Sequence, residues 1–194
     1  MSESQTLSGV HVNLRPLAVD DAELTLRWRT SDRALHLHPG ATTVAEQARW
    51  IATRPAAERN FVIERRDGRP VGMVSLTDID TVNRHGMPGR FLIGDEAAVK
   101  GIPAAAEAFG LVLALAFDTL GLHRIHGTIA SDNVLMIKWQ KHIGLREEGR
   151  LRDHYFLAGH YQDAVCLGLL VDEYRAVTVH RLSALVRMAR VPQS

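Results

Sequence analysis

The chain has 194 residues, a length that suits one domain with a sizeable core. Apolar residues make up 46% and charged residues 23%, as in ordinary globular proteins, and the net charge of +1 argues against binding nucleic acid or anionic lipid. The single cysteine, Cys166, excludes an intrachain disulfide and predicts a cytoplasmic location. We therefore expect neither a nucleic-acid nor a membrane partner, and residues 1–10 show no signal-peptide pattern.

The first half of the chain predicts three strands and two helices. In chain order these are strand 10–16, helix 22–29, helix 44–51, strand 60–65 and strand 71–76. The acidic pair Asp20 and Asp21 is typical of a helix start, and the Asp67-Gly68 dipeptide predicts a hairpin between the last two strands. Residues 77–89 are predicted to be a polar connection.

The second half predicts a long buried helix between two strands, followed by a helix and two late strands. In chain order these are strand 90–94, helix 103–120, strand 123–130, helix 134–143, strand 149–156 and strand 162–171. The long helix is apolar on nearly every face, which indicates a central position. As a crossover between two strands, it predicts that strands 90–94 and 123–130 are parallel.

The order of elements predicts an α/β (α+β) fold in a single domain. We expect a mixed, mostly antiparallel, twisted sheet with helices on both faces. Residues 1–9 are predicted to be flexible, residues 10–174 to form the domain, and residues 175–194 to add a C-terminal amphipathic helix and tail. That helix is expected to pack on the domain or on a second subunit, which would make a homodimer.

The start of the long helix is a candidate phosphate site. The segment Lys100-Gly-Ile-Pro-Ala-Ala105 consists mostly of small residues, which let a ligand approach the backbone. A helix N-terminus offers free N–H groups and positive potential. The sequence therefore predicts that this turn binds a diphosphate.

Four motifs follow one another in the second half. Residues 117–124 are FDTLGLHR, Asn133 stands at a strand–helix junction, residues 142–152 are HIGLREEGRLR, and residues 159–163 begin with glycine and end with aspartate. In this order and spacing, residues 10–174 resemble the RimJ/RimL-like branch of the GNAT superfamily of acetyl-CoA-dependent N-acetyltransferases.

The resemblance implies an acyl-CoA-dependent N-acyltransferase that moves acetyl from acetyl-CoA directly to a primary amine through a tetrahedral intermediate. The acceptor amine would belong to a protein N-terminus or to a small molecule. Pantetheine would lie in a V between strands 90–94 and 123–130, and a backbone N–H near Ile93 would stabilise the oxyanion. The residues implied to bind the cofactor are Phe91, Leu92, Ile93, Gly94, Lys100, Gly101, Ile102, Pro103, Ala104, Ala105, Asn133 and Lys138.

The sequence departs from the family pattern at three positions. Pro103 stands where the phosphate motif has a glycine, and proline has no N–H to donate. Met136 and Gln140 occupy the positions of a serine and a tyrosine that would protonate the leaving thiolate. These departures leave the acid unassigned and keep open a second hypothesis, a non-catalytic acyl-CoA-binding or interaction module.

Several polar residues are candidates for handling the amine. Asp80 closes a strand near the expected acceptor mouth, and His126 titrates near neutrality on a strand beside the cleft, although a solvated turn and an ordinary strand histidine are alternatives. His36 and His38 lie in a loop that would line the acceptor pocket or be exposed. No cysteine or carboxylate is spaced to complete a tetrahedral set with these histidines, so we expect no metal.

Overall fold

The computed structural model describes residues 5–38, 40–55 and 57–188, in which eight strands form one sheet. The strands are β1 (Leu7–Ser8), β2 (Val12–Pro16), β3 (Arg59–Arg65), β4 (Pro70–Asp80), β5 (His85–Ile93), β6 (Arg124–Ala130), β7 (Arg146–Leu157) and β8 (His160–Leu170). Their order across the sheet is β1-β2-β3-β4-β5-β6-β8-β7. Every neighbouring pair is antiparallel except β5 and β6, which confirms the predicted parallel crossover.

Helices lie on both faces of this sheet. They are α1 (Ala22–Arg29), α2 (Val44–Ala52), α3 (Ala104–Ala114), α4 (Val134–Ile143), α5 (Val171–Glu173) and α6 (Val179–Met188). Alternate side chains of β3 point to opposite faces of the sheet. Val62 packs with Trp28 of α1 on one face, whereas Phe61 and Ile63 belong to the cluster on the other face that contains Phe109 of α3. None of the described helices is long and apolar enough to cross a membrane.

The central helix α3 is buried, as its composition predicts, and a buried carboxylate ties it to the sheet. Glu107 accepts hydrogen bonds from the backbone N–H groups of Val10, His11 and Val12, with distances of 2.7 Å to His11 N and 2.8 Å to Val12 N. Gly9 permits this contact, since a Cβ there would lie 2.7 Å from the Glu107 carboxyl carbon. The chain just before β2 is therefore anchored to the first turn of α3.

The C-terminal helix α6 packs against α3. Leu182 is only 5% exposed and belongs to the main core cluster, and its side chain lies near Gly110 of α3. Residues 189–194 of the predicted tail lie outside the described residues. In this chain, therefore, the apolar side of the helix covers its own domain.

Several element boundaries differ from the sequence predictions, and two of these differences change an element. The predicted connection at 77–89 is mostly strand, since β4 runs to Asp80 and β5 starts at His85. Its polar side chains do not prevent pairing, because strand pairs are held by backbone groups. Of the predicted flexible N-terminus, residues 1–4 lie outside the described residues, and Leu7–Ser8 pairs with β2.

Candidate active site

A cleft opens where β5 and β6 part. The two strands pair only at His85↔Arg124 and Gly86↔Ile125. Beyond these pairs they diverge, and a cleft of about 1460 Å³ lies between residues 87–93 of β5 and residues 128–130 of β6. The V that the sequence suggested is therefore present, with its apex at the two parallel pairs.

The floor of the cleft carries a β-bulge. Met73 pairs with Leu92 and Ser75 with Gly89, so Arg90 and Phe91 together lie opposite the single residue Val74. Arg90 has φ of 50°, in the left-handed region that non-glycine residues seldom occupy. A bulge interrupts the ladder of backbone hydrogen bonds, and an N–H left unpaired in this way is the kind of donor that stabilises a developing oxyanion. Ile93, the residue chosen from sequence, lines the cleft two residues further on.

One end of the cleft, here called the cofactor end, is the start of α3. Pro103 is the N-cap of α3, and its carbonyl oxygen accepts from Glu107 N at 3.0 Å. No side chain caps this helix, so the N–H groups of residues 104–106 are free to meet an anion. Pro103 itself has no N–H to donate, so proline costs the helix start one donor and leaves the three of residues 104–106. The small side chain of Ala105 and the cation of Lys100 line the same end.

The suggested cofactor residues divide into two groups. Those that line the cleft are Phe91, Leu92, Ile93, Lys100, Ile102, Pro103, Ala105 and Asn133, whereas Gly94, Gly101, Ala104 and Lys138 do not. Gly94 instead permits close packing, since a Cβ there would lie 2.2 Å from the Trp28 ring. Asn133 caps α4 by accepting from Met136 N at 3.3 Å, which leaves its amide Nδ2 to donate to a ligand.

An aromatic cluster forms the wall beside the cofactor end. The ring of Phe91 lies 5.7 Å from that of Phe109 and 6.1 Å from that of Trp139, and the last two are 5.1 Å apart. All three line the cleft, together with Leu185 of α6. Neither Trp139 nor Leu185 is among the cofactor residues that the sequence suggested, because an apolar side chain on a helix face is more typical of core packing than of ligand binding.

Tyr155 of β7 is another cleft residue that the sequence did not single out. Its hydroxyl lies 2.6 Å from Thr128 Oγ1 and donates to the Thr128 carbonyl oxygen at 3.3 Å, and both residues line the cleft. A register shift in β7, with Asp153 N–H donating to Asp163 at 3.1 Å, precedes it. The structure thus brings a phenol to a cleft in which Met136 and Gln140 supply no acid.

The two sequence candidates for the base lie outside the cleft lining. Asp80 accepts from the N–H groups of Val82 and Asn83, each at 2.8 Å, and the Asn83 contacts hold the pKa of Asp80 below its ordinary value. His126 Nε2 lies 3.3 Å from His85 Nδ1, and His85 Nε2 lies 3.6 Å from Asp80 Oδ2. Burial, and then His85, lower the pKa of His126, so it is neutral at pH 7.

A second part of the cleft lining, here called the acceptor end, belongs to α1, the loop after it and the bulge. It contains His36 and His38, as their loop position suggested, together with Arg29, Asp32, Arg33 and Arg90. His36 Nδ1 lies 3.3 Å from Asp132 Oδ1, so this loop reaches across to the turn before α4. Among the described residues, no group of histidine, cysteine, aspartate or glutamate side chains is arranged to hold a metal.

Comparison with known sequences gives a family and several relatives. The sequence profile of the acetyltransferase (GNAT) domain matches residues 11–146. A spermidine N(1)-acetyltransferase of Vibrio cholerae is 30% identical over 118 residues, which cover 61% of this chain and 66% of that protein. A spermidine N(1)-acetyltransferase of Escherichia coli K12 is 29% identical over 120 residues, which cover 62% of each. The matches span slightly less than two thirds of the length of these relatives.

Solved structures share the architecture. A GCN5-related N-acetyltransferase from Brucella melitensis superposes with a TM-score of 0.79 at 21% identity, covering 100% of this chain and 93% of that chain. A chimera of spermidine N-acetyltransferase SpeG from Vibrio cholerae and hSSAT superposes with a TM-score of 0.77 at 25% identity, covering 86% and 99%. The parted strands, the bulge and the uncapped helix are thus found in a chain whose overall fold is that of these structures.

Proposed function

Because this chain belongs to the acetyltransferase (GNAT) domain family, we propose that it is an acyl-CoA-dependent N-acyltransferase that transfers acetyl from acetyl-CoA directly to a primary amine. The observation that carries the proposal is the cleft between the parted strands β5 and β6. Its cofactor end offers free helix N–H groups and its floor offers a bulge. A diphosphate needs the first and a reacting thioester carbonyl needs the second.

We place the diphosphate at the first turn of α3. Backbone N–H groups of residues 104–106 would donate to its oxygens, and Lys100 would add a positive charge. The pantetheine arm would follow the open edge of β5 past Phe91 and Trp139, with Asn133 donating to one of its amides. Gly101 and Ala104 would support this turn through the backbone. Gly94 and Lys138 lie outside the cleft lining and would contribute indirectly.

When bound, acetyl-CoA supplies an acetyl group activated as a thioester. The bulge at Arg90–Phe91 would stabilise negative charge on the carbonyl oxygen through a backbone N–H, in the role that the sequence assigned to Ile93. Tyr155 would donate its phenolic proton to the leaving sulfur, since its hydroxyl stands in the cleft beside Thr128.

The amine must lose a proton before or during attack, and we assign its acceptance to His126. His126 lies two residues from Thr128, so both side chains stand on the same face of β6. Its lowered pKa keeps it unprotonated at neutral pH. Solvent in the cleft would carry the proton to His126, and His85 and Asp80 would then share the charge.

The alternative of a non-catalytic acyl-CoA-binding module rested on three sequence departures. Pro103 lacks one N–H at the N-cap, but the N–H groups of residues 104–106 remain to bind an anion. Tyr155 supplies a phenol in place of the missing tyrosine and serine. We therefore favour the enzyme. Membership of the RimJ/RimL-like branch, a cytoplasmic location and a homodimer remain proposals, the last testable by the sedimentation of the intact chain.

Isothermal titration with acetyl-CoA tests the assignment of the cofactor end. We expect saturable binding by the native protein and at least a tenfold loss of affinity in Ala105→Glu, because the new carboxylate competes with the phosphates for the same N–H groups. Glutamate is favourable in the first turn of a helix, so this variant should stay folded. Ala158→Glu, at the exposed β7–β8 turn, is the matched control. If the native protein binds no acetyl-CoA, the proposed function is wrong.

A further inference from the structure

The acceptor end carries more positive than negative charge. Three guanidinium groups, those of Arg29, Arg54 and Arg90, influence one another electrostatically, and Glu58 lies among them. Glu58 Oε2 pairs with Arg54 at 2.9 Å and with Arg90 at 3.0 Å, so a single carboxylate serves two cations. Arg29 and Arg90 both line the cleft. This cluster therefore has a surplus of positive charge where it faces the cleft.

Arg29 is the member of the cluster without a counter-ion. Its guanidinium donates to the carbonyl oxygen of His38 at 2.7 Å and packs against Gly40, and no described carboxylate pairs with it. Burial, and then Arg90, lower the pKa of Arg29, although it stays protonated at neutral pH. A half-buried cation without a partner is costly unless a ligand supplies the opposite charge.

The carboxylates that line the acceptor end do not balance these arginines. Glu96 is paired with Arg33 at 2.5 Å. Asp32 is exposed at the rim. The interior of this end consequently offers donors for an anion, and it offers no interior carboxylate, within the described chain, that could receive a cation.

We propose that the acceptor is a small primary amine that also carries an oxyanion, a carboxylate or a phosphate, bound by Arg29 and Arg90. This inference rests on the proposed function, because it names the substrate class of the same site. Arginine suits the role, since its planar fork donates two parallel hydrogen bonds to such groups. Arg90 also belongs to the bulge, so the bound anion lies near the floor where the amine reacts.

The proposal separates this chain from the relatives that are named for spermidine. Spermidine carries several positive charges and no anion, and at this end it would meet Arg29 and Arg90. Like charges placed together at a binding site disfavour a ligand and thereby set specificity. We expect spermidine to be a poor acceptor for this protein.

The test uses the intact protein with acetyl-CoA and pairs of amines that differ only in the anion. The pairs are O-phosphoethanolamine with ethanolamine, glucosamine 6-phosphate with glucosamine, and methionine with methioninamide, and spermidine is added alone. Release of free thiol gives kcat/KM. We expect one anionic member to exceed its neutral partner by about 10- to 100-fold, the range of a charge-assisted hydrogen bond. The phosphate and carboxylate pairs distinguish the two sources of the oxyanion.

Variants then test whether Arg29 is responsible. Arg29→Gln should lower kcat/KM for the anionic member at least tenfold more than for its neutral partner, and Arg29→Lys should restore part of the preference. Arg27→Gln, on the exposed side of the same helix and outside the cleft lining, should change nothing. Equal losses for both members of a pair would show a structural role for Arg29 and overturn the proposal.

Failure of the substrate assignment can be told apart from failure of the function. If spermidine or the neutral amines are the better acceptors, the protein is an N-acetyltransferase and the oxyanion proposal is wrong. If no amine is acetylated, the binding of each anionic amine is measured by titration in the presence of CoA. Binding that is lost in Arg29→Gln would support the oxyanion site while the proposed function fails, and absence of binding would overturn the site.

Discussion

The two ends of the cleft are built from different chemical groups. The cofactor end presents backbone N–H groups, small side chains and aromatic rings, whereas the acceptor end presents long charged side chains on α1 and its following loop. Most amino-acid substitutions leave the backbone N–H groups at a helix start in place. A single substitution, by contrast, removes a charged side chain. Under the proposed function, the cofactor end would serve the chemistry common to the family and the acceptor end would set the substrate of each member.

The largest expected effect concerns Tyr155, whose side chain lines the cleft beside Thr128. Tyr155→Phe should lower kcat about 100-fold and leave acetyl-CoA affinity unchanged, because the variant lacks the proton for the leaving sulfur but keeps the ring. Steady-state kinetics with thiol release measures this. Tyr161→Phe, exposed on the same hairpin, is the control. An unchanged kcat would mean that solvent protonates the thiolate.

A second effect tests how firmly the cofactor end is anchored. Glu107→Gln should lower the free energy of unfolding by about 2 kcal/mol, because an amide cannot accept from three backbone N–H groups as the carboxylate does. Urea denaturation measures the loss. The exposed Glu23→Gln should leave the midpoint almost unchanged. Equal midpoints for both variants would show that this carboxylate is dispensable for the anchor.

The pH dependence of kcat/KM tests the proton transfer to His126 separately from the charged side chains of the acceptor end. His126 must be neutral to take a proton, so kcat/KM should fall by up to tenfold per pH unit as pH drops through its pKa, below 6.5. The folded pKa is below the unfolded value, so the unfolded chain binds the proton more tightly. Protein stability should therefore also decrease as pH falls through this interval.

Two variants assign that acid limb. His126→Gln should remove it and lower the plateau about tenfold, whereas the exposed His123→Gln should keep the native profile. A profile of His126→Gln that retains the native acid limb would assign the titration to another group.

The smallest effect is expected where the acceptor loop meets the cofactor side. His36 and Asp132 are partly exposed and 3.3 Å apart, and exposed pairs contribute little. His36→Ala should change the acceptor KM by no more than about threefold. A double-mutant cycle with Asp132→Ala measures the coupling, and a change above tenfold would show that the loop contact controls acceptor entry.

Much of the fold follows from the sequence because local patterns agree with the tertiary structure. The apolar composition of α3 predicts its burial, and a helix between two strands predicts their parallel pairing. Hydrophobic periodicity ends this strand at Leu76, because the polar end of β4 is held by backbone pairing that leaves no hydrophobic pattern, whereas the family resemblance already extended it to Asp80. Hydrophobic periodicity shows which side chains are buried. It does not show where a backbone that carries polar side chains is paired in a sheet.

The site was only partly predictable for a related reason. The turn before α3 is contiguous in sequence, so its small residues could be recognised as a phosphate site. Tyr155 comes to the cleft through a register shift in β7, and Arg29 and Arg90, which influence each other electrostatically, are separated by 60 residues of sequence. Neither arrangement leaves a local signal, because each depends on which strands and helices become neighbours.

The two residue pairs that join β5 to β6 also determine how the molecule deforms. Five strands lie on one side of these two pairs and three on the other. Because few backbone hydrogen bonds connect the two parts of the sheet, we expect it to bend along the line between β5 and β6. A ligand whose amides form hydrogen bonds with both β5 and β6 would restrict this bending. Occupancy of the cleft should then register in hydrogen exchange far from the reacting atoms, as a stiffening of the two halves against each other.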